Sequence, residues 1–188
     1  MREWIKVADK LVGMADEDEA KGRLLSAGPK LQRAALYYLT AERMQAHGST
    51  GRLETFKKGL ACFLKGTQFT GEDVTRHEIP YGDKTIPVLY TRAIGVDGPA
   101  PTVVYLNGLD SNKELLYWSR LPQELAKRGI SCLCVDQPGT GESLRLQGMP
   151  ATWKSEDWGT PVYEWLAAHA EVNAARIGIT GISLGGYY

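Results

Sequence analysis

The residues best placed to do chemistry in this 188-residue chain are Gly181-Ile182-Ser183-Leu184-Gly185. A serine hydroxyl attacks a carbonyl only where a substrate can reach it without meeting the chain's own backbone. Glycines two residues to either side permit the sharp strand-to-helix turn that lifts the hydroxyl clear. The apolar run Arg176-Ile177-Gly178-Ile179-Thr180 reads as the strand leading in, with a helix starting after Ser183. In that setting the pattern predicts Ser183 as a nucleophile at the carboxyl edge of a sheet.

Attack by an alkoxide places negative charge on the substrate oxygen, which N–H donors must meet. The backbone N–H of Leu184, the residue after the serine, is one such donor. Asn107-Gly108-Leu109-Asp110-Ser111 follows another apolar strand, and a backbone N–H there can point at the same oxygen. Donors of this kind are worth about 3 kcal/mol each in the transition state. Ser183, Leu184 and one N–H of this loop form the candidate catalytic set.

A base and an acid are also required, and where the serine sits on such a turn they follow it in chain order. Only Leu184 to Tyr188 follow here. His47 ends a helical segment, His77 lies in a strand of an antiparallel pair, and His169 ends a helix near the amino edge of the next strand, so none is expected to serve. The expectation is a chain truncated after the nucleophile turn, the first half of a longer protein. Ile177 and Ile179 then belong to a strand buried on both faces in the whole molecule.

The elements that position these groups are legible from periodicity. Up to Gly66 it is helical. Leu31, Ala35, Tyr38 and Leu39 share one face, with Pro29 suited to a first turn. Leu53, Phe56, Leu60, Phe63 and Leu64 share another, entered through Ser49 or Thr50 as N-cap and left at Gly66. Asp16-Glu17-Asp18-Glu19 reads as the opening of an earlier helix, its charge facing the positive end of the dipole. Residues 1–66 are thus a helical cap subdomain and residues 67–188 the amino-terminal half of an α/β core.

In the second part Val74–Pro80 and Thr85–Ala93 read as an antiparallel pair. Thr102–Leu106 and Ile130–Val135 are nearly continuous apolar strands, and helices are expected over Lys113–Arg128 and from about Trp158 to His169. Alternating strands and helices predict a mostly parallel sheet with helices on both faces, the antiparallel pair at its edge.

Composition excludes several functions. Lysine plus arginine and aspartate plus glutamate are both 22, and no basic cluster is interleaved with aromatics, so no nucleic-acid partner is expected. No 18-residue apolar run spans a membrane. Cys62, Cys132 and Cys134 have neither disulfide nor metal spacing, which favours a reducing cytoplasm; Cys132 and Cys134 read as small apolar side chains on one face of a buried strand. Asp136-Gln137-Pro138-Gly139-Thr140-Gly141-Glu142-Ser143 lacks the third glycine of a dinucleotide loop and the lysine of a P-loop. No cofactor or metal is expected.

NGLDS, DQPGTGES and GISLGG, in this order and spacing, resemble the α/β-hydrolase superfamily. The helical start with RAALYYLTAER, followed by NGLDSNKE in place of the commoner His-Gly loop, is similar to the branch that holds 2,6-dihydroxypseudooxynicotine hydrolase and fungal polyketide-shortening hydrolases. The resemblance implies an enzyme that cleaves a small-molecule ester or a carbon–carbon bond next to a ketone. It implies Ser183 as nucleophile, Leu109 and Leu184 as donors, and Asp136 and Ser143 as members of a structural turn. It also implies a cap near which Tyr117, Trp118, Trp153 and Trp158 could wall a pocket, each being equally readable as an ordinary core or surface aromatic. A homodimer is compatible with the sequence. So is a catalytically silent relative that keeps the turn but binds a partner.

Overall fold

The structure is a computed structural model describing residues 1–188, and it divides into two compact units, Met1–Glu72 and Asp73–Tyr188.

The first unit is three helices: α1 (Arg2–Ala20), α2 (Leu24–Arg43) and α3 (Arg52–Thr70). Leu31, Ala34, Ala35, Tyr38 and Leu39 of α2 are buried, as are Phe56 and Phe63 of α3. Four local expectations are corrected. Asp16 to Glu19 close α1 instead of opening it; the unfavourable dipole contact is offset where Lys30 Nζ meets Asp18 at 2.6 Å and Lys65 Nζ meets Glu19 at 2.5 Å. Pro29 lies inside α2, because the turn at Lys21–Arg23 closes on the Asp18 carbonyl and starts the helix at Leu24. Gly51, at φ 81°, caps α3, where neither Ser49 nor Thr50 supplies a side-chain cap. Gly66 does not end α3. A Cβ there would stand 3.1 Å from the Gly28 carbonyl oxygen, so Gly66 is where α2 and α3 approach, and the helix runs on to Thr70 with Gly71 as its left-handed cap.

The second unit is a five-stranded sheet of β1 (Val74–Tyr81), β2 (Lys84–Thr91), β3 (Ala100–Leu106), β4 (Ser131–Val135) and β5 (Val172–Gly181), in the order β1-β2-β4-β3-β5. β3 pairs parallel with β4 and β5, and the hairpin β1–β2 is antiparallel at the edge, as expected. Every residue of β4 is buried, Cys132 and Cys134 included. The helix expected over Lys113–Arg128 is two, α4 (Lys113–Trp118) and α5 (Leu121–Ala126). Pro122 has no N–H to continue the helix and its ring excludes the preceding turn, so the chain reverses at Arg120, φ 72°. Two further helices are α6 (Gly141–Arg145) and α7 (Glu156–Ala167), the latter packing Trp158, Val162 and Leu166 into the core with Leu106, Leu133 and Val135. β5 pairs on one side only and Ile179 is 69% exposed, so in residues 1–188 this strand is an open edge.

Candidate active site

The site is built where β5 leaves the sheet. Ser183 follows Gly181 by two residues, has φ 52°, and starts a 3-10 turn over Ser183–Gly186 in the place where a helix was expected. A non-glycine residue in the left-handed region is uncommon and is found where surrounding structure enforces it. The flanking glycines provide that enforcement. A Cβ on Gly181 would overlap the Gly185 carbonyl, and one on Gly185 would stand 2.6 Å from the Asn107 carbonyl oxygen and 2.7 Å from that of Leu106. The turn is thereby packed against the end of β3, and Ile182 N–H donates to the Leu106 carbonyl at 3.2 Å. Ser183 is exposed at the carboxyl edge of the parallel strands, with its hydroxyl hydrogen-bonded to no protein group.

The loop after β3 lies directly against this turn. A Cβ on Gly108 would stand 3.3 Å from Ser183 Cβ. Neither the Leu109 nor the Leu184 N–H donates to a protein acceptor. The Leu109 side chain itself is 69% exposed.

The loop's position is fixed from beneath by the turn after β4. Asp136 is fully buried and its carboxylate accepts from Asn107 Nδ2 at 2.9 Å, Lys113 N at 2.7 Å, Lys113 Nζ at 3.2 Å and Glu142 N at 2.9 Å. Gln137 is hydrogen-bonded to Asn107 at both N–H and carbonyl, and Gly141 N–H donates to the Ser111 carbonyl. Gly141, at φ 41°, has no room for a Cβ because the Asp136 carboxylate occupies it. Ser143 Oγ donates to the Asp136 carbonyl at 2.5 Å. Asp136 and Ser143 are thus parts of a structural turn.

Sequence reasoning missed the charged cluster in this turn. Lys113 is fully buried, with Nζ 2.7 Å from Glu114 and 3.2 Å from Asp136 and in contact with Glu142, while Arg76 of β1 grips Glu142 through Nε at 3.2 Å and Nη2 at 2.9 Å. Burial alone would lower the lysine, but Asp136, Glu114 and Glu142 outweigh it and hold the ammonium well above the usual range. Burial pushes the Glu114 carboxyl up to about 7, whereas for Glu142 burial is outweighed by Lys113 and Arg76 and the group stays below the ordinary carboxylate range. Lysine followed by glutamate at a helix start reads as solvated surface, because lysine is so rarely buried unpaired; the only available signal was its place just after the donor loop.

The histidines lie elsewhere. His77 is on β1, four strand spacings or about 19 Å from β5. His169 follows α7, and its ring packs 6.0 Å from that of His77 and 5.0 Å from Tyr90 on the same side of the sheet. His47 belongs to the link between α2 and α3. Of the aromatics weighed as pocket walls, Trp158 and Tyr117 are core residues, 3% exposed each, Trp118 is partly buried and Trp153 is 79% exposed.

A mixed sheet with an edge hairpin, a glycine-flanked serine in left-handed conformation after a parallel strand, and the loop after β3 packed beside it define the α/β-hydrolase class. The FrsA-like esterase family model matches residues 2–188, and the chain belongs to that family. It is 28% identical to the α/β hydrolase xenA of Xenoacremonium sinensis, over 98% of this chain and 46% of that one. It is 27% identical to 2,6-dihydropseudooxynicotine hydrolase of Paenarthrobacter nicotinovorans, over 98% and 48%. The crystal structure of a 2,6-dihydroxy-pseudo-oxynicotine hydrolase superposes with a TM-score of 0.82 at 27% identity, covering 98% of this chain and 51% of that one. The chain spans about half the length of the relatives it matches. No helix is long and apolar enough to cross a membrane.

Proposed function

We propose that Ser183 is the nucleophile of a hydrolase that opens a carbonyl-centred bond, an ester or a carbon–carbon bond beside a ketone, in a small organic substrate. The reading rests on the Ser183 backbone: a strained φ of 52°, enforced by glycines on both sides, holds an exposed hydroxyl next to two unused N–H donors. In this reading the Ser183 oxygen adds to the carbonyl carbon. The Leu109 and Leu184 amides take up the charge on oxygen, and collapse of the adduct releases the leaving group with a proton. The proton passes through a histidine oriented by an acid, both supplied by residues outside 1–188, since His77 and His169 are across the sheet. Water then repeats the sequence on the acyl-enzyme. The helical unit, residues 1–72, is the substrate-selecting subdomain. The free cysteines Cys62, Cys132 and Cys134 suit a cytoplasmic setting.

The test is to treat the full-length protein with an active-site-directed fluorophosphonate and map the adduct by peptide mass spectrometry. The reading expects the adduct on Ser183; an adduct on another residue would overturn it.

A further inference from the structure

We infer that Lys113 is a positioning residue for the oxyanion donor Leu109, and that the buried cluster around it holds the donor loop in place only while Glu114 keeps a proton. The first part rests on connectivity. The loop 107–112 is tied down at both ends by the turn 135–142: Asn107 to Asp136 and Gln137 at one end, the Lys113 amide to Asp136 at the other. Lys113 Nζ joins Asp136 to Glu142, so one ammonium neutralises the groups on which both anchors depend. A buried pair that loses one partner leaves an uncompensated charge, and the neighbouring groups must move or protonate.

The second part rests on charge balance. Beyond the half-exposed Glu78, which also meets Arg76 at 2.8 Å, the cluster contains two cations, Lys113 and Arg76, and three buried carboxyls, Glu114, Asp136 and Glu142. Fully ionised it carries one excess negative charge in a dry site. Asp136 accepts four hydrogen bonds and Glu142 is gripped by both cations. Glu114 has one charged contact, to Lys113, and its second oxygen is buried with no hydrogen-bond partner. The proton that balances the cluster therefore belongs on Glu114, consistent with the upward push on its carboxyl from burial. Cys134 of β4, the other titratable group near it, is kept neutral by burial. Above neutrality Glu114 ionises, the cluster gains a negative charge, and the loop that carries Leu109 loosens.

The kinetic part of this inference rests on the nucleophile reading of Ser183; the stability part does not. The stability arm uses full-length protein carrying Ser183→Ala, with and without Glu114→Gln, and follows Tm from about pH 4 to about pH 9. The glutamine copies the protonated carboxyl at every pH. Because the Glu114 carboxyl is raised from 4.5 to about 7 by burial, its protonated form contributes stability that is lost as pH rises through that interval, so the expected result is a Tm advantage of the glutamine variant that grows from about pH 4.5 to about pH 7 and is constant above. The kinetic arm measures kcat and KM per fluorophosphonate-titrated serine for an activated acetate ester. Glu114→Gln is expected to lose the alkaline fall in kcat and keep the acid limb, and Lys113→Met to lower kcat tenfold or more, with KM changed less than about threefold. Parallel Tm curves with and without Glu114→Gln overturn the proton assignment. Wild-type kcat in folded Lys113→Met overturns the positioning role; if that variant does not fold, an alkaline limb that survives Glu114→Gln overturns it.

Discussion

Gly108 and Ser183 touch through the one position at which a side chain is missing: a Cβ on Gly108 would lie 3.3 Å from the serine Cβ and 3.0 Å from the Ile182 carbonyl oxygen. The loop after β3 and the turn at Ser183 are therefore one packed unit, and the distance from the Leu109 amide to the serine depends on residue 108 being glycine.

Gly108→Ala must push loop and turn apart by a few tenths of an ångström. Misplacing a donor by that much weakens only the transition state, so kcat is expected to fall about tenfold or more in the full-length enzyme while KM and Tm change little. Steady-state kinetics beside a melting curve checks this. Unchanged kcat would show that the loop does not face the reacting oxygen.

The histidine pair predicts an acid sensitivity separate from catalysis. His77 is held below its ordinary pKa by burial and then by the charge of His169, with Trp165 and Tyr90 packed on its ring and Thr75 on its Nε2 at 2.9 Å. A histidine depressed in the folded state contributes stability that is present above its unfolded pKa of about 6.5 and is lost as pH falls through the folded value. Tm should therefore drop on acidification, and less so in His77→Phe. Identical slopes in the two proteins would contradict the assignment.

Much of this site was legible because its signals are backbone requirements. Gly181 and Gly185 are glycine since a Cβ would meet Gly185 and Asn107, and Gly141 since a Cβ would meet Asp136. Such constraints leave a fixed residue type at fixed spacing. The apolar runs of β3 and β4 announced the sheet for a similar reason, since strands buried on both faces admit few polar residues. What escaped was settled by partners distant in sequence. The acids at the end of α1 are tolerated because Lys30 and Lys65 come from other helices, and Gly66 stays helical because Gly28 faces it. Lys113 is buried because Asp136 and Glu142 arrive from two other segments. No local pattern contains those meetings.

The helical unit predicts a change in selectivity. Deleting residues 1–72 from the full-length protein should cost far more activity toward bulky substrates than toward a small activated acetate ester. The comparison is kcat/KM for both on protein shown by a cooperative melt to be folded. Equal losses would assign the unit a purely structural role.

The most direct test of the central claim is turnover by full-length Ser183→Ala, set beside the mass of the wild-type protein quenched during turnover of an activated ester. The account predicts an acyl adduct on the Ser183 peptide in the wild type, and a loss of at least a thousandfold in kcat in the folded variant, with about the residual rate that oxyanion donors and binding alone sustain. Wild-type turnover by folded Ser183→Ala, or an acyl group carried on another residue, would contradict it.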